Sequence, residues 1–263
     1  MTAPTLPTLG FANVLRSEWT KLRSVRSTYW TALAAVAGTL GLGIAICSRF
    51  VWLLHRGKDG GGFEPTELSL SGILLAQVAF GALGVLSISS EYGTGMIRAT
   101  LGAVPQRRPL LAAKAVVVGG AALVVGEVLS FASYGVGQAI LSDADAGSSL
   151  GDPGVLRAVS GGGLFLTAVA LLGFGLGALI RHTAGALSAL FGLLFATSAV
   201  VNLLPESWSH TVRPYLPVNA GMQVFTMRRQ GDALGPYAGL GALCLYAVAT
   251  LGLAAALIER RDA

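Results

Sequence analysis

Apolar residues run in six long stretches along the chain, and polar or glycine-rich linkers separate them. The stretches cover residues 30–48, 70–89, 110–141, 155–180, 185–204 and 236–258. Because the hydrocarbon core of a bilayer is about 30 Å thick, a spanning helix needs about 20 apolar residues. The pattern therefore predicts six transmembrane helices and an all-α integral membrane protein.

The linkers suggest how the predicted spans are joined. The fourth and fifth spans are separated by only four residues, 181–184, which predicts a tight hairpin. The predicted organisation is a cytoplasmic N-terminus with an amphipathic interfacial helix (1–29), a six-span transmembrane domain (30–258) and a short cytoplasmic tail (259–263). The segment 205–235, which contains Trp208, Tyr215, Met222, Val224 and Phe225, is predicted to lie against the outer leaflet because it is too apolar for a free loop.

Composition excludes a soluble domain. Of the 263 residues, 53% are hydrophobic and 12% are charged, whereas soluble domains carry about 25% charged residues. Cys47 and Cys244 both lie within apolar stretches, where they provide neither a disulfide framework nor metal-ligand spacing. No metal site is predicted.

The distribution of Lys and Arg predicts the orientation. With the N-terminus inside, the cationic residues outside are Arg49, Arg56, Lys58, Arg157, Arg213, Arg228 and Arg229, and the other eleven of the 18 lie inside. Cytoplasmic loops carry the excess of Lys and Arg. Both termini are therefore predicted in the cytoplasm of a multi-pass plasma-membrane protein, and the basic net charge of +5 reflects topology rather than nucleic-acid binding.

The stretch before the first span has the pattern of an amphipathic helix. Its apolar residues fall on one helical face: Phe11, Val14, Leu15, Trp19, Leu22 and Val25. Arg16, Lys21 and Arg23 lie off that face, so the helix is predicted to lie along the cytoplasmic leaflet near anionic headgroups. Glu18 falls within the apolar arc. It therefore needs a partner, either Lys21 or Arg26 in a local ion pair, or a partner protein.

A compact polar segment joins the second and third spans. Glu91 is followed by Gly93 and Gly95, which loosen the backbone. Residues 96–104 then have the pattern of a short amphipathic helix that Pro105 stops. A short cytoplasmic helix between two spans would move both spans when it is pushed. Glu91 could also cap this helix, since carboxylates favour helix N-termini.

This segment resembles the one between the second and third spans of ABC-2 type exporter permeases. The resemblance rests on Glu91, Tyr92, Thr94, Gly95, Ile97 and Leu101, then Pro105, Arg107, Arg108, Leu110, Leu111 and Lys114. The N-terminal SEWTKLRSVRSTYW is similar to the start of such permeases in high-GC Gram-positive bacteria, and LPVNAG (216–221) to the segment before their last span. Gly93 departs from the pattern, because many relatives carry a basic residue there.

The resemblance implies a partner and a mechanism. Two permeases, either copies of one chain or homologous chains, would sit on a dimer of cytosolic ABC ATPases that holds ATP and Mg²⁺. The coupling segment (residues 91–108, including Arg98) would lie near a groove on the ATPase, flanked by the N-terminal helix with Glu18, Trp19, Lys21 and Arg23. ATP-driven closure would then rearrange the spans and export a substrate.

The chain itself contains no phosphate-binding loop G-x-x-x-x-G-K-[ST], so any ATP hydrolysis is expected in a separate subunit and the chain is not expected to be an enzyme. Two other classes stay open. A secondary transporter would couple to ions through intramembrane ionisable residues. A membrane scaffold or immunity protein would transport nothing. The sequence does not identify a substrate.

Glu127 is the only acidic residue deep in a predicted span. A charge there costs about 2.5–3.5 kcal/mol on insertion scales, so it should face other helices or a cavity. It is a candidate translocation-path residue, and a neutral hydrogen-bonded acid or a proton-coupling site are the alternatives. Val124, Val125, Val128 and Leu129 are expected to cover the lipid side. The small-residue patterns Gly173-x-x-x-Gly177 and Ala122-x-x-x-Gly126-x-x-x-Ser130 predict close helix packing, within one subunit or between subunits.

Overall fold

The protein is a multi-span helical membrane protein. The computed structural model describes residues 10–24, 26–57, 64–93, 95–96, 107–201, 203, 205–228, 231 and 233–258, and these residues contain no strand. The helices are α1 Phe11–Ser24, α2 Arg26–His55, α3 Pro65–Leu70, α4 Ile73–Gly93, α5 Arg107–Ser142, α6 Val155–Ile180, α7 Thr183–Phe191, α8 Thr197–Val201, α9 Glu206–Val212, α10 Pro217–Met222 and α11 Pro236–Leu257. A π-helical turn, Gly192–Ala196, joins α7 to α8.

Among the described residues, six helical stretches are long and apolar enough to cross a membrane, as predicted. They are Trp30–His55, Pro65–Gly93, Arg108–Ser142, Val155–Ile180, Thr183–Val201 and Pro236–Leu257. The second begins five residues earlier than predicted, because α3 and a turn at residues 71–72 precede α4. The first extends seven residues further, to His55.

Helix α6 forms the centre of the bundle. In the apolar 18-residue stretch of α6, 72% of the residues are buried. The corresponding share is 17% in α11 and 22% in the first span. It packs against α4, α5 and α11. The other spans surround α6 and leave one apolar face exposed, as expected of helices that contact lipid.

Glycines allow α4 and α6 to approach until their backbones touch. A Cβ atom added at Gly84 would overlap the carbonyl oxygen of Ala170, and one added at Gly173 would overlap that of Gly81. At Gly177, a Cβ atom would lie 2.9 Å from the carbonyl oxygen of Val85. The Gly173 and Gly177 pattern therefore packs helices within one subunit, which was one of the two predicted roles.

The second small-residue pattern also packs within the subunit. A Cβ atom added at Gly126 of α5 would lie 3.1 Å from the carbonyl oxygen of Gly163 of α6. The hydroxyl of buried Ser130, one turn further on, donates a hydrogen bond of 2.5 Å to the carbonyl oxygen of Val159. Small residues here bring a serine within reach of the neighbouring backbone, where its hydroxyl is satisfied.

The predicted hairpin between the fourth and fifth spans is confirmed. Helix α6 ends at Ile180, and Arg181 takes a left-handed conformation with φ 59° that reverses the chain. His182 then caps α7, its Nδ1 atom accepting a hydrogen bond of 3.2 Å from the backbone N–H of Gly185. Two residues thus suffice for the turn.

The two ends of the bundle carry different elements. The terminal face is the end of the bundle that carries α1, the end of α4 and the start of α5. The opposite face carries α3, α9 and α10. Helix α11 ends near the terminal face, because its Ala254 packs in one cluster with Ile88, Leu111 and Ala178.

Part of the prediction for residues 205–235 is wrong. Trp208 and Tyr215 are exposed, at 66% and 56%, and remain able to contact a leaflet. Val224 and Phe225 are instead buried, at 1% and 6%. Phe225 packs edge-on against Phe165 of α6, with ring centroids 5.3 Å apart. The apolar content of this segment fills the core, because α10 folds back into the bundle between α6 and α11.

Polar side chains fasten this folded-back segment to the opposite face. The Arg157 guanidinium at the start of α6 donates to the carbonyl oxygens of Val224, at 2.7 Å, and Thr226, at 3.2 Å. The carboxylate of Glu67 accepts from the backbone N–H groups of Met227, at 2.5 Å, and Arg228, at 3.2 Å. These contacts satisfy backbone groups that follow α10, where the chain has no helical partners.

Candidate functional site

Helix α1 presents two different apolar edges. Val14 is 4% exposed and packs on Leu110 and Ala113 of α5. Phe11 and Trp19 are 47% and 46% exposed, which leaves them available to lipid. The sequence predicts one apolar face of α1 that contacts lipid. In the structure one edge of this face packs on α5 and the other is exposed.

Glu18 lies on the edge that faces the protein. It is one helical turn from Val14, and its side chain is only 4% exposed. One carboxylate oxygen accepts a hydrogen bond of 2.9 Å from Lys21 of the same helix, which confirms the predicted local pair. The other oxygen reaches Lys114 of α5 at 2.5 Å. The second partner explains why a carboxylate occupies an apolar arc.

Lys114 joins three helices. Its Nζ atom donates to Glu18 of α1 at 2.5 Å and to Glu91, in the last turn of α4, at 2.6 Å. The side chain of Lys114 is 5% exposed, so the ammonium has little contact with solvent. Such short charge-assisted bonds are about twice as strong as neutral ones. Lys114 therefore ties α1 and the end of the second span to the start of the third.

Lys21 is the fourth charged residue at this contact, and it is the one whose side chain reaches solvent. It lies 3.4 Å from Glu91, and its side chain is 36% exposed. Burial lowers the pKa of Lys21, but the hydrogen bond to Glu18 and the charge of Glu91 outweigh it and raise the pKa above its usual 10.5. The stability that this shift contributes is present below pH 10.5 and is lost only as the pH rises through the higher folded value.

The four side chains form a charge-balanced unit, called the charge cluster below: Glu18, Lys21, Glu91 and Lys114. Two carboxylates face two ammonium groups, which offsets the cost of burying ions at this depth. One acceptor stays open, since Glu91 Oε2 is buried and has no hydrogen-bond partner among the described residues. Buried polar atoms without a partner are few in native proteins, and such an atom calls for an explanation.

Around the cluster, the structure places several of the remaining predicted residues. Tyr92 follows Glu91, and the guanidinium of Arg181 lies 5.1 Å from the centre of its ring, a cation–π contact. Gly95 has φ 71°, a conformation that favours glycine, and its N–H donates to the carbonyl oxygen of Tyr92 at 3.3 Å. Arg108 is exposed in the first turn of α5.

The remaining predicted coupling residues lie outside the described part of the chain. These are Thr94, Ile97, Arg98, Leu101 and Pro105, and the side chain of Arg107, whose backbone begins α5. The predicted short helix over 96–104 and its capping by Glu91 therefore stay predictions. What the structure adds is a contact between the flanking helices, since Glu91 of α4 and Lys114 of α5 bind each other.

Lys114 is the residue whose role sequence reasoning missed. The sequence resemblance includes Lys114 but gives it no role of its own. A signal was present, because a lone lysine seven residues beyond Arg107 in an apolar stretch must find an anion or reach the membrane surface. Its partners lie 96 and 23 residues away, so no local periodicity pointed to them.

Glu127 lies far from the charge cluster, on the other half of α5. Its carboxyl group lies over Gly163 of α6, since a Cβ atom there would be 2.6 Å from Glu127 Cδ. It therefore faces a neighbouring helix, as predicted. Val124, Val125 and Val128 are exposed, but Leu129 is 2% exposed and belongs to the core, so its expected lipid contact is wrong.

Comparison with known proteins adds no family assignment. No family model matches the chain, and no curated protein matches it. Among the described residues, no group of three or more His, Cys, Asp or Glu side chains is arranged to hold a metal ion.

Proposed function

We propose that the protein is the transmembrane permease subunit of an ATP-driven ABC exporter of the ABC-2 type. Two permeases form the translocation path in the plasma membrane, and a dimer of separate cytosolic ATPases supplies ATP hydrolysis. The observation that carries the proposal is the charge cluster at the base of the coupling segment. The sequence resemblance of that segment to ABC-2 type permeases supports the same function.

The cluster gives the coupling segment a defined mechanical connection. The segment leaves the second span just after Glu91 and enters the third span before Lys114, and the 2.6 Å ion pair closes its base. A force on residues 94–106 therefore acts on α4 and α5 together. Through Glu18 the same force reaches α1, which packs along α5.

Burial makes this connection stiff and specific. Glu18, Glu91 and Lys114 are each at most 6% exposed, so breaking one pair leaves an unpaired buried charge. The three helices consequently move as one body unless the whole cluster rearranges. A unit of this kind can pass a displacement at the ATPase surface into the bundle.

The ATPase partner gives the first test. Affinity purification of the tagged chain from native membranes in a mild detergent should recover an ATP-binding subunit of about 30 kDa. Recovery should be unchanged in the exposed-site control Arg16→Gln and reduced in Ile97→Asp, which puts a charge into the coupling segment. Recovery of the folded chain alone, with transport intact, would contradict the proposal.

The predicted orientation gives a second test. A cysteine placed at Arg107, on the terminal face, should resist a membrane-impermeant thiol reagent added to intact cells. A cysteine at Asp143, exposed just beyond α5 on the opposite face, should react. Both should react after the cells are opened. The reverse pattern in intact cells would invert the topology and put the charge cluster on the wrong side for a cytosolic ATPase.

A further inference from the structure

Two arginines and a tryptophan form a cluster near the end of α2. The guanidinium carbon of Arg49 lies 4.3 Å from the centre of the Trp52 ring, and that of Arg56 lies 3.7 Å from the same point. Arginine stacks on aromatic rings because its planar, delocalised cation is only weakly hydrated. One ring therefore holds both cations, and their guanidinium carbons are at most 8.0 Å apart, the sum of the two distances.

These two guanidinium groups have no acidic partner in the described part of the chain. No carboxylate there forms an ion pair with Arg49 or Arg56. Two other arginines of the opposite face are bonded: Arg228 lies 2.8 Å from the carboxylate of Glu64, and Arg157 donates to backbone carbonyl groups. Two cations held this close repel each other, and an anion between them would turn that repulsion into attraction. The cluster therefore favours an anionic ligand.

The cluster belongs to an exposed stripe along one side of α2. Residues spaced alternately by three and four positions share a side of a helix. Five exposed residues with this spacing form the stripe: Leu42, Ala45, Arg49, Trp52 and Arg56. The other side of α2 packs into the protein at the opposite face, where Cys47 is buried with Leu68 of α3 and Leu141 of α5. The stripe is therefore directed away from the bundle.

The length of the first span places the two cations at the level of the lipid headgroups. The span begins at Trp30, and Arg49 and Arg56 follow 19 and 26 residues later. At 1.5 Å per residue these separations are about 28 Å and about 39 Å. Because the hydrocarbon core is about 30 Å thick, the guanidinium groups lie at its edge and beyond it, whereas Leu42 and Ala45 lie within it. The stripe thus offers apolar surface to an acyl chain and two cations to a headgroup.

We propose that this stripe binds an anionic phospholipid in the leaflet next to the opposite face. Arg49 and Arg56 donate to the phosphate, and an acyl chain lies along Leu42 and Ala45. Planar guanidinium groups match pairs of phosphate oxygens, which a lysine ammonium does not. Trp52 holds both cations in place, so binding orders few side chains. A soluble phosphate ester has the same charge, but the apolar part of the stripe favours the lipid.

Native mass spectrometry of the purified chain in a neutral detergent tests this binding. Dioleoylphosphatidylglycerol and dioleoylphosphatidylcholine have the same acyl chains, and only the first has a net charge. The anionic lipid should bind about tenfold more tightly, as expected for charge-assisted hydrogen bonds. The double variant Arg49→Lys, Arg56→Lys retains both charges without the planar groups and should lose this preference, as should Trp52→Leu. The control Arg213→Lys, at an exposed arginine of the same face, should keep it.

Competition on the wild-type chain gives a readout that does not depend on the folding of a variant. Glycerol phosphate in large excess should not displace the anionic lipid, because it has no acyl chain. Displacement would indicate a site for soluble phosphate esters and would overturn the lipid assignment. Equal affinity for the two lipids would mean that the headgroup charge is not recognised. An unchanged preference in the double lysine variant would mean that charge alone suffices, and either result would overturn the proposal. No ATPase is present, so each result is independent of the co-purification test.

Discussion

Replacing Lys114 by methionine should destabilise the folded protein by about 3–5 kcal/mol, the cost of leaving a buried charge without its partner. Methionine keeps much of the length of the side chain and removes the ammonium. Glu18 and Glu91, both buried, would then face each other with only the half-exposed Lys21 between them. Unfolding of the purified protein in mixed micelles, followed by far-UV circular dichroism, measures the change.

The same experiment separates charge from packing. Adding Glu18→Gln and Glu91→Gln to Lys114→Met removes the unpaired buried carboxylates and should recover much of the lost stability, because the only charge left in the cluster is that of Lys21, whose side chain is 36% exposed and can be hydrated. Recovery of fold without recovery of transport would mark the cluster as a coupling element. Arg16→Gln, at an exposed position of α1, is the control and should change little. A Lys114→Met protein as stable as this control would show that the ion pairs contribute nothing.

Substituting alanine for Gly84 should also be strongly destabilising, although alanine is the better helix former by about 1 kcal/mol. The added methyl group would overlap the carbonyl oxygen of Ala170, which belongs to the backbone of α6 and cannot rotate away. Helices α4 and α6 would have to separate, and this contact is central to the bundle. Overpacking of this kind costs about 1–3 kcal/mol.

Gly120 supplies the matched control for this prediction. It lies in the exposed part of α5, and a Cβ atom added there would meet nothing within 4 Å. Gly120→Ala should therefore leave the midpoint of unfolding unchanged or raise it, while Gly84→Ala lowers it. Equal midpoints for the two variants would show that α4 and α6 do not touch at Gly84 in the membrane protein.

The sequence predicts the spans well because one physical requirement dominates them. Each spanning helix needs about 20 predominantly apolar residues, and a stretch of this length is recognisable in the sequence. The hairpin at Arg181 and the amphipathic α1 are equally local features, set by residues within one or two turns. All three appear in the structure.

The sequence did not predict which elements far apart along the chain contact each other. The partners of Lys114 lie 96 and 23 residues away, and apolar periodicity carries no information on which charges meet. The sequence prediction for Val224 and Phe225 is wrong for a related reason, since an apolar side chain has the same pattern whether it faces lipid or the core. Only the packing of α10 against α6 distinguishes the two cases.

The position of Glu127 could be predicted from the sequence only in part. The cost of a charge in the membrane predicted that it faces a helix, and it lies over Gly163 of α6. The identity of that helix did not follow from the sequence. It depends on how α5 and α6 pack against each other.

Site-specific photocrosslinking in native membranes tests the proposed coupling to an ATPase most directly. A photoreactive amino acid at Met96, which is 51% exposed in the coupling segment, is compared with one at Tyr237, 74% exposed at the start of α11 on the opposite face. The proposed function predicts a crosslink from position 96 to an ATP-binding subunit of about 30 kDa, and none from position 237. No such crosslink from position 96, or one from position 237 instead, would contradict it.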